Sequence, residues 1–193
     1  MEKTDEQLVE QARRGDKEAF RELFERYQRK VMTVAVGMVG NPEDAMEIVQ
    51  DTFVKAYEHL NRFKGESSFY TWLFRIAVNR AIDLRRFRKR NPTTGLEDEF
   101  RYPDSDQPYD DFLGDEEERT DPVRHAEAHE IGKRVAQAIA ELTPDHRAVI
   151  LLREVEGLSY EEISRVMQCS KGTVMSRLHY ARKKLQKKLK DLL

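Results

Sequence analysis

SYEEISRVMQCSKGTVMSRLHYAR, residues 159–182, is the stretch that decides the fold of the C-terminal part of this chain. Ser159 followed three residues later by Glu162 forms a capping box, which predicts the start of a helix that ends near Met167. After a short break, Ser170 is placed to cap a second helix that runs to the C-terminus. Two short helices joined by a tight turn are a simple way to present one helix to the major groove of DNA. The stretch therefore predicts a helix-turn-helix that binds DNA.

The charges around this stretch support the same interpretation. No aspartate or glutamate occurs between Ile163 and Lys190. The basic residues in that interval are Arg165, Lys171, Arg177, Arg182, Lys183, Lys184, Lys187, Lys188 and Lys190. A local excess of cations suits phosphate binding, because each neutralised phosphate releases counterions. A solvated lysine-rich helix face is the plain alternative, but the caps and the short turn favour DNA binding.

Outward from the helix-turn-helix, the chain divides into three segments. Residues 1–91 and 123–193 carry helical periodicity, whereas residues 92–122 contain repeated prolines, which interrupt helices. Acids dominate this middle segment, which indicates a flexible acidic linker. We therefore predict an all-α protein of two small helical domains, a helical bundle and a helix-turn-helix, joined by that linker.

The N-terminal segment contains two helices of opposite character. Asn41-Pro42 predicts a helix start, followed by an apolar stripe (Ala45, Ile48, Val49, Phe53, Ala56 and Leu60) and an outward acidic face (Asp44, Glu47, Asp51 and Glu58). The next helix, from about Phe69 to Arg88, is basic, and its only acid is Asp83.

The overall composition indicates a cytoplasmic protein. The 193 residues carry a formal net charge of −2 and include a single cysteine, Cys169, so no intramolecular disulfide can form. The N-terminus lacks the apolar segment of a signal peptide, and no apolar run is long enough to span a membrane. Cys169 is expected to be a small buried residue rather than a redox sensor.

Two motifs extend beyond a generic DNA-binding domain: RFKGESSFYTWLFRIAVNRAIDLRR at residues 62–86, and LTPDHRAVILLREVEGLSYEEISRVMQCSKGTVMSRLHYAR at residues 142–182. Together they resemble the extracytoplasmic-function (ECF, group IV) sigma factors of bacterial RNA polymerase, nearest to the sigma-E (RpoE-like) type. The resemblance implies sigma region 2 in residues 1–91 and sigma region 4 in residues 123–193. It further implies promoter-specific transcription initiation with core RNA polymerase, and no enzymatic activity of the chain itself.

The resemblance also implies two functional surfaces in region 2. The residues expected to bind core polymerase, at its β′ clamp and β subunits, are Asp44, Glu47, Gln50, Asp51 and Phe53. The residues expected to read and melt the minus-10 element are Phe63, Lys64, Ser68, Tyr70, Trp72, Arg75, Asn79, Arg80, Asp83 and Arg86. Aromatic side chains can hold unstacked bases, and an amide can read a base edge. The apolar spacing of Trp72 fits the protein core equally well.

In region 4, the resemblance implies a minus-35 helix over Ser170–Arg182. Its expected DNA contacts are Ser170, Lys171, Gly172, Thr173, Met175, Ser176, Arg177, His179, Tyr180 and Arg182. The sequence departs from the sigma-E pattern at Met175, where many relatives carry arginine, and at His179-Tyr180, where they carry an aromatic–arginine pair. These differences remove guanidinium groups that could contact guanine.

The remaining expectations concern partners and alternatives. Promoter DNA and core polymerase are the implied partners, together with an anti-sigma factor, which in this family is often membrane-anchored. No cofactor, metal or small-molecule substrate is expected, since His125 and His129 form only half of a metal site. A stand-alone operator-binding regulator and a pure protein-interaction module remain open as alternative functions. The regulator would bind a palindrome as a dimer without polymerase.

Overall fold

The computed structural model describes residues 3–90 and 122–192, with the side chains of the fifth helix given from residue 129 onward. Its regular structure is entirely helical. The helices are α1 (Asp5–Arg13), α2 (Lys17–Val39), α3 (Pro42–His59), α4 (Phe69–Arg90), α5 (Pro122–Ala140), α6 (Pro144–Ile150), α7 (Tyr160–Met167) and α8 (Lys171–Lys188). Single 3₁₀ turns occupy Leu60–Arg62 and Lys190–Leu192. A π-helical turn, which is wider than an α-helical turn, occupies Leu151–Val155. The predicted all-α class is confirmed, and the predicted acidic linker, 92–122, lies outside the described residues except for Pro122.

The helix starts follow the local sequence chemistry. Asn41 accepts hydrogen bonds from the backbone of the first turn of α3, and Thr143 does the same for α6. Ser159 and Glu162 form the predicted capping box at α7. Ser170 accepts from the amide of Thr173 at 3.1 Å at the start of α8. Because these caps satisfy amides that have no partner within their own helix, they fix where each helix begins.

The N-terminal domain, α1–α4, buries the predicted apolar stripes. All six predicted stripe residues are buried, from Ala45 in α3 to Leu60, which directly follows α3. The placement of Asp44 on the outward face is wrong, however, since only 6% of this residue is exposed. Its carboxylate pairs with Arg88 of α4, and burial raises the pKa of the Asp44 carboxyl while Arg88 opposes that rise. The periodicity of α3 alone could not show that α4 covers its first turn.

The C-terminal domain, α5–α8, packs directly on the N-terminal domain. Helix α2 contacts α5, α6 and the wide turn Leu151–Val155, while α4 contacts α7. As a result, buried residues of both domains form one continuous hydrophobic cluster. The sequence predicted two separate helical domains but not this shared core. Among the described helices, none is long and apolar enough to cross a membrane.

The junction between the domains contains a buried arginine. Arg147 of α6 is 1% exposed and donates to the backbone carbonyls of Ile139, Ala140 and Leu142. It also donates to the carbonyl of Met38 at 2.5 Å, near the C-terminal end of α2. Carbonyls at a helix C-terminus lack partners within the helix and carry the negative end of its dipole. A guanidinium with several donors is suited to satisfy them.

Candidate nucleic-acid interface

The helix-turn-helix is formed by α7, the turn at Gln168-Cys169, and α8. Gln168 adopts the left-handed conformation with φ of 50°, and the Ser164 hydroxyl donates to the carbonyl of Cys169 at 2.6 Å. Ile163 and Val166 of α7 are buried against the inner side of α8. The turn and this contact hold α8 in a fixed orientation on the domain core.

The outer side of α8 presents most of the predicted minus-35 residues. Those exposed to solvent are Ser170, Lys171, Gly172, Met175, Ser176, His179, Tyr180 and Arg182. Thr173 and Arg177 are half-buried. The hydroxyl of Ser170 also caps α8, so this residue has a structural role besides its predicted contact with DNA. The surface is continuous and free of acids along α8 itself.

Three cations of this surface are paired with acids from neighbouring elements. Lys171 lies 2.8 Å from Glu161, Arg177 lies 2.8 Å from Asp145, and Arg182 lies 2.6 Å from Glu154. The hydrogen bond from Lys171 holds the pKa of the Glu161 carboxyl below its ordinary value. These acids lie outside the acid-free stretch, and sequence reasoning therefore missed them. They orient the cations but also neutralise part of the charge available to phosphates.

Two apolar side chains stand out on the same surface. Met175 is 56% exposed and Tyr180 is 62% exposed. The ring of Tyr180 lies near the imidazoles of His146 and His179, with ring centroids 6.5 and 5.7 Å away. Apolar groups on a helix that enters the major groove can contact the methyl group of thymine. The surface thus combines cations of a kind suited to phosphates with uncharged groups of a kind suited to base contact.

The predicted minus-10 turn between α3 and α4 is an aromatic cluster. Phe63 packs against Trp72 and Phe69, with ring centroids 5.2 and 6.1 Å away. Trp72 is buried, in agreement with the core placement that its spacing also allowed. Phe63 is only half-buried, and Lys64 and Ser68 are exposed. Phe63 therefore has aromatic surface within reach of solvent, whereas Trp72 supports it from beneath.

Arg13 of α1 anchors this turn and was not singled out from the sequence. Its guanidinium donates to the carbonyl of Leu60 at 3.2 Å and to the carbonyl of Phe63. It also lies over the Phe63 ring, 5.8 Å from its centroid. Periodicity within one helix gave no signal for this contact, because Arg13 and the turn are about fifty residues apart.

Tyr70 occupies a different environment from the rest of the predicted minus-10 set. Its hydroxyl donates to the carboxylate of Glu156, a residue of the C-terminal domain. Its ring lies 5.4 Å from that of Tyr27, and Lys30 lies over its face at 5.1 Å. Burial raises the pKa values of both the Tyr70 phenol and the Glu156 carboxyl. In this conformation, the C-terminal domain covers the polar end of Tyr70.

The outer side of α4 carries the other predicted minus-10 residues. Asn79, Asp83 and Arg86 are exposed, and Arg75 is half-buried. Arg80 donates instead to Glu47 at 2.6 Å and to Asp51. The amide of Asn79 and the guanidinium of Arg86 therefore face solvent, while Arg80 ties α4 to α3.

The predicted polymerase-binding set divides between surface and core. Glu47 and Gln50 are exposed, and Asp51 is half-buried. Phe53, in contrast, is 4% exposed and packs against Phe24 with ring centroids 4.7 Å apart. Like Asp44, it lies beneath the surface of α3 rather than on it, because it belongs to the apolar stripe that faces α2.

Three exposed apolar residues of α3 were missed at the sequence level. Met46, Val54 and Tyr57 are each about half exposed. They lie on the same helix as Glu47 and Gln50. Apolar side chains that stay exposed in such a group are typical of protein–protein contact surfaces.

The structure offers no metal site in the ranges where side chains are described. No group of three or more histidine, cysteine, aspartate or glutamate residues there could hold an ion. The predicted half-site includes His125, whose side chain lies outside those ranges. Cys169 is half-buried in the helix-turn-helix turn, with the guanidinium of Arg177 3.8 Å from its sulfur.

Comparison with known families matches both domains of the chain. Residues 23–91 match the model of sigma-70 region 2, and residues 132–185 match that of sigma-70 region 4. The chain is 43% identical over 194 residues to the RNA polymerase sigma-H factor of Pseudomonas aeruginosa, covering 98% of this chain and 95% of that protein. It is 38% identical over 190 residues to the ECF RNA polymerase sigma-E factor of Escherichia coli, covering 98% and 96% respectively.

Two solved structures with a similar fold are complexes with partner proteins. CnrH in complex with the cytosolic domain of CnrY superposes with a TM-score of 0.69 at 29% identity, over 97% of each chain. The sigma factor RpoE of Bartonella quintana, in complex with the anti-sigma factor NepR, gives a TM-score of 0.66 at 24% identity. This match covers 89% of this chain and 96% of that one, and it shows the fold alone.

Proposed function

The chain belongs to the sigma-70 family and is an ECF sigma factor, an initiation factor rather than an enzyme, which directs promoter-specific transcription with core RNA polymerase; on this premise we propose how its surfaces divide that work. The observation that carries the proposal is the outer side of α8. It combines exposed cations, exposed apolar groups and a fixed orientation on the helix-turn-helix.

Region 4 recognises the minus-35 duplex through α8. Lys171 and Arg182 bind phosphates after exchanging their carboxylate partners for DNA, while Met175, Ser176 and His179 face base edges. Arg177 is held by Asp145 and is less exposed than Lys171 or Arg182. We assign it mainly to fixing α8 on α6, with contact to the backbone as a secondary role.

Region 2 captures the opened minus-10 strand. Phe63, with Trp72 and Phe69 behind it, offers an aromatic surface on which an unstacked base can rest. Asn79 reads a base edge from the exposed side of α4, and Arg86 holds the backbone. Arg13 keeps Phe63 in position through the carbonyls of the turn.

The exposed side of α3 binds core polymerase. Glu47, Gln50 and Asp51 supply polar and acidic groups, and Met46, Val54 and Tyr57 add an apolar surface of the kind found at protein interfaces. We propose the β′ clamp as the main partner of this side, with β as a further contact. The acids suit a basic partner surface.

An anti-sigma factor is the proposed regulatory partner. CnrH, which this chain resembles at 29% identity over 97% of each chain, was solved in complex with the cytosolic domain of CnrY. We propose that this chain acts in the cytoplasm, where core polymerase is found, and that any membrane anchor belongs to the inhibitor.

A reconstituted transcription assay tests the division of labour. Core polymerase and the chain are incubated with promoter fragments in which both elements are randomised, and the transcribed templates are sequenced. We expect two enriched elements at a fixed spacing. Met175→Arg should change the upstream element alone, because arginine adds bidentate contact to guanine. Asn79→Ala should change the downstream element alone.

Each outcome discriminates between functions. No polymerase-dependent enrichment would refute the assigned activity for this chain. Binding to a palindrome without polymerase would favour a stand-alone regulator. If both variants altered the same element, the assignment of α4 and α8 to separate elements would be wrong.

A further inference from the structure

The face of region 2 formed by α2 and α4 is occupied by region 4 of the same chain. Tyr70 of α4 donates to Glu156, and Arg165 of α7 donates to the carbonyl of Glu66 at 3.3 Å. Arg147 of α6 reaches Met38 of α2. Buried residues of both domains also form one continuous hydrophobic cluster.

Gly37 is the residue that allows this close approach. A Cβ atom at this position would lie 2.7 and 2.8 Å from the two terminal carbons of Leu151 and 3.3 Å from its Cγ. Gly37 lies inside α2, where glycine costs about 1 kcal/mol relative to alanine. The helix therefore gives up local stability at the point where region 4 packs against it.

The closed arrangement cannot be the one that reads a promoter. Elements named minus-35 and minus-10 are separated by roughly 80 Å of duplex, at about 3.4 Å per base step. A compact chain of this length has a radius of gyration of about 16 Å, so it measures roughly 40 Å across. Regions 2 and 4 must therefore separate before both elements can be held at once.

We infer that the free chain is self-inhibited by docking of region 4 onto the α2–α4 face of region 2, with Gly37–Leu151, Tyr70–Glu156 and Arg147–Met38 as the contacts that hold it closed. The inhibitory consequence rests on the proposed function, whereas the docking itself does not. Closure covers the Tyr70 hydroxyl and leaves the outer side of α8 exposed. It therefore obstructs minus-10 capture and two-element binding more than contact with minus-35 duplex alone.

The energetic effect on promoter binding follows from the populations of the open and closed states. If only the open chain can hold both promoter elements when it is bound to polymerase, the apparent Kd for the promoter is the intrinsic Kd divided by the open fraction. A substitution that weakens closure without touching a binding surface should therefore tighten the apparent affinity. Gly37 and Glu156 are suitable positions, because neither belongs to the proposed DNA or polymerase surfaces.

The test compares full-length variants by small-angle scattering and by titration with promoter DNA in the presence of core polymerase. Gly37→Leu should increase the radius of gyration and tighten the apparent Kd for promoter DNA in the presence of core polymerase by roughly fivefold or more, as a larger open fraction requires. Adding Leu151→Ala to Gly37→Leu should restore compactness, because the bulk added on one side is removed from the other. Glu156→Ala should act in the same direction as Gly37→Leu.

Glu154→Ala is the matched control. Glu154 lies two residues before Glu156 but pairs with Arg182 inside region 4, so it should leave the radius of gyration unchanged. An extended wild-type chain, or equal compactness of wild type, Gly37→Leu and Glu156→Ala, would overturn the inference. Circular dichroism checks the helix content of Gly37→Leu. If Gly37→Leu is unfolded, the radius of gyration of Glu156→Ala decides whether the contact holds the chain closed. A compact chain that never binds polymerase would instead refute the function and leave closure standing.

Discussion

The guanidinium of Arg80 donates to the carboxylate of Glu47 at 2.6 Å, joining the helix proposed to hold DNA to the helix proposed to bind polymerase. Asp51 accepts from the same arginine. One charged network therefore connects the two proposed surfaces of region 2, and removing Arg80 from α4 would remove a partner of two acids on α3.

Arg80→Ala should destabilise region 2 modestly. The loss should be up to about 1 kcal/mol in the free energy of unfolding, the range for partly exposed ion pairs. Arg86→Ala is the comparison, because Arg86 is largely exposed and its guanidinium lies 4.0 Å from Asp83, at the outer limit of an ion pair. Urea denaturation should detect the first change and not the second. Weakened binding to a minus-10 single strand should be more pronounced for Arg86→Ala, and the reverse pattern would contradict the assigned roles.

Lys187→Ala should weaken DNA binding evenly across sequences. Lys187 is exposed near the end of α8 and is suited to phosphate contact rather than base reading. The slope of log K against log salt should fall by about 1 in magnitude. Gln186→Ala, also exposed and uncharged, serves as the control. A change in base preference for Lys187→Ala would show that this lysine has been given the wrong role.

Ser159→Ala should destabilise the helix-turn-helix. Its hydroxyl accepts from the amide of Glu162 at 3.2 Å, and loss of such a cap costs about 1 kcal/mol. Glu162→Gln should have a smaller effect, because glutamine can complete the same capping box. Thermal or urea unfolding measures both variants. Equal losses would mean that the charge of Glu162, rather than the cap, stabilises this helix start.

Closure of the domains should weaken as the pH rises. Burial raises the pKa of the Glu156 carboxyl above its ordinary value of 4.5 in the closed chain, although Tyr70 and Lys30 partly oppose the shift. The closed state therefore favours the protonated acid. This contribution is fully present below the ordinary pKa and is lost as the pH rises through the raised one.

The measurement is the radius of gyration of the full chain from about pH 4.5 upward. Glu156→Gln keeps an acceptor for Tyr70 but cannot ionise, so the difference between wild type and this variant isolates the carboxyl. We expect the wild type to expand more than the variant over that range. Identical pH profiles would show that Glu156 does not control closure.

The accuracy of the sequence predictions depended on the distance between the residues involved. Caps at Asn41, Thr143, Ser159 and Ser170 were predictable, because each acts on amides within the next three residues. The apolar stripe of α3 was equally visible from its period. Family motifs then supplied the assignment of these helices to sigma regions.

Contacts between distant residues were not predictable in this way. Arg147 and Met38 are 109 residues apart, and nothing in the local pattern around Arg147 indicates a buried guanidinium. The helical period likewise places Asp44 on the outward face, but Arg88 of α4 pairs with it and 6% of the residue is exposed. Tertiary packing, rather than helix periodicity, determines whether such side chains are buried. The local sequence pattern does not indicate which distant element packs against them.

The wide π-helical turn Leu151–Val155 fixes the direction in which the next residue, Glu156, points around the helix axis. A turn of this type contains more residues than an α-helical turn, and successive residues of a helix are rotated by about 100° around its axis. Removing one residue would therefore swing Glu156 away from the side that meets Tyr70. The length of this turn is consequently under stricter constraint than its composition. Substitutions there adjust packing, whereas a deletion would change which side of region 4 faces region 2.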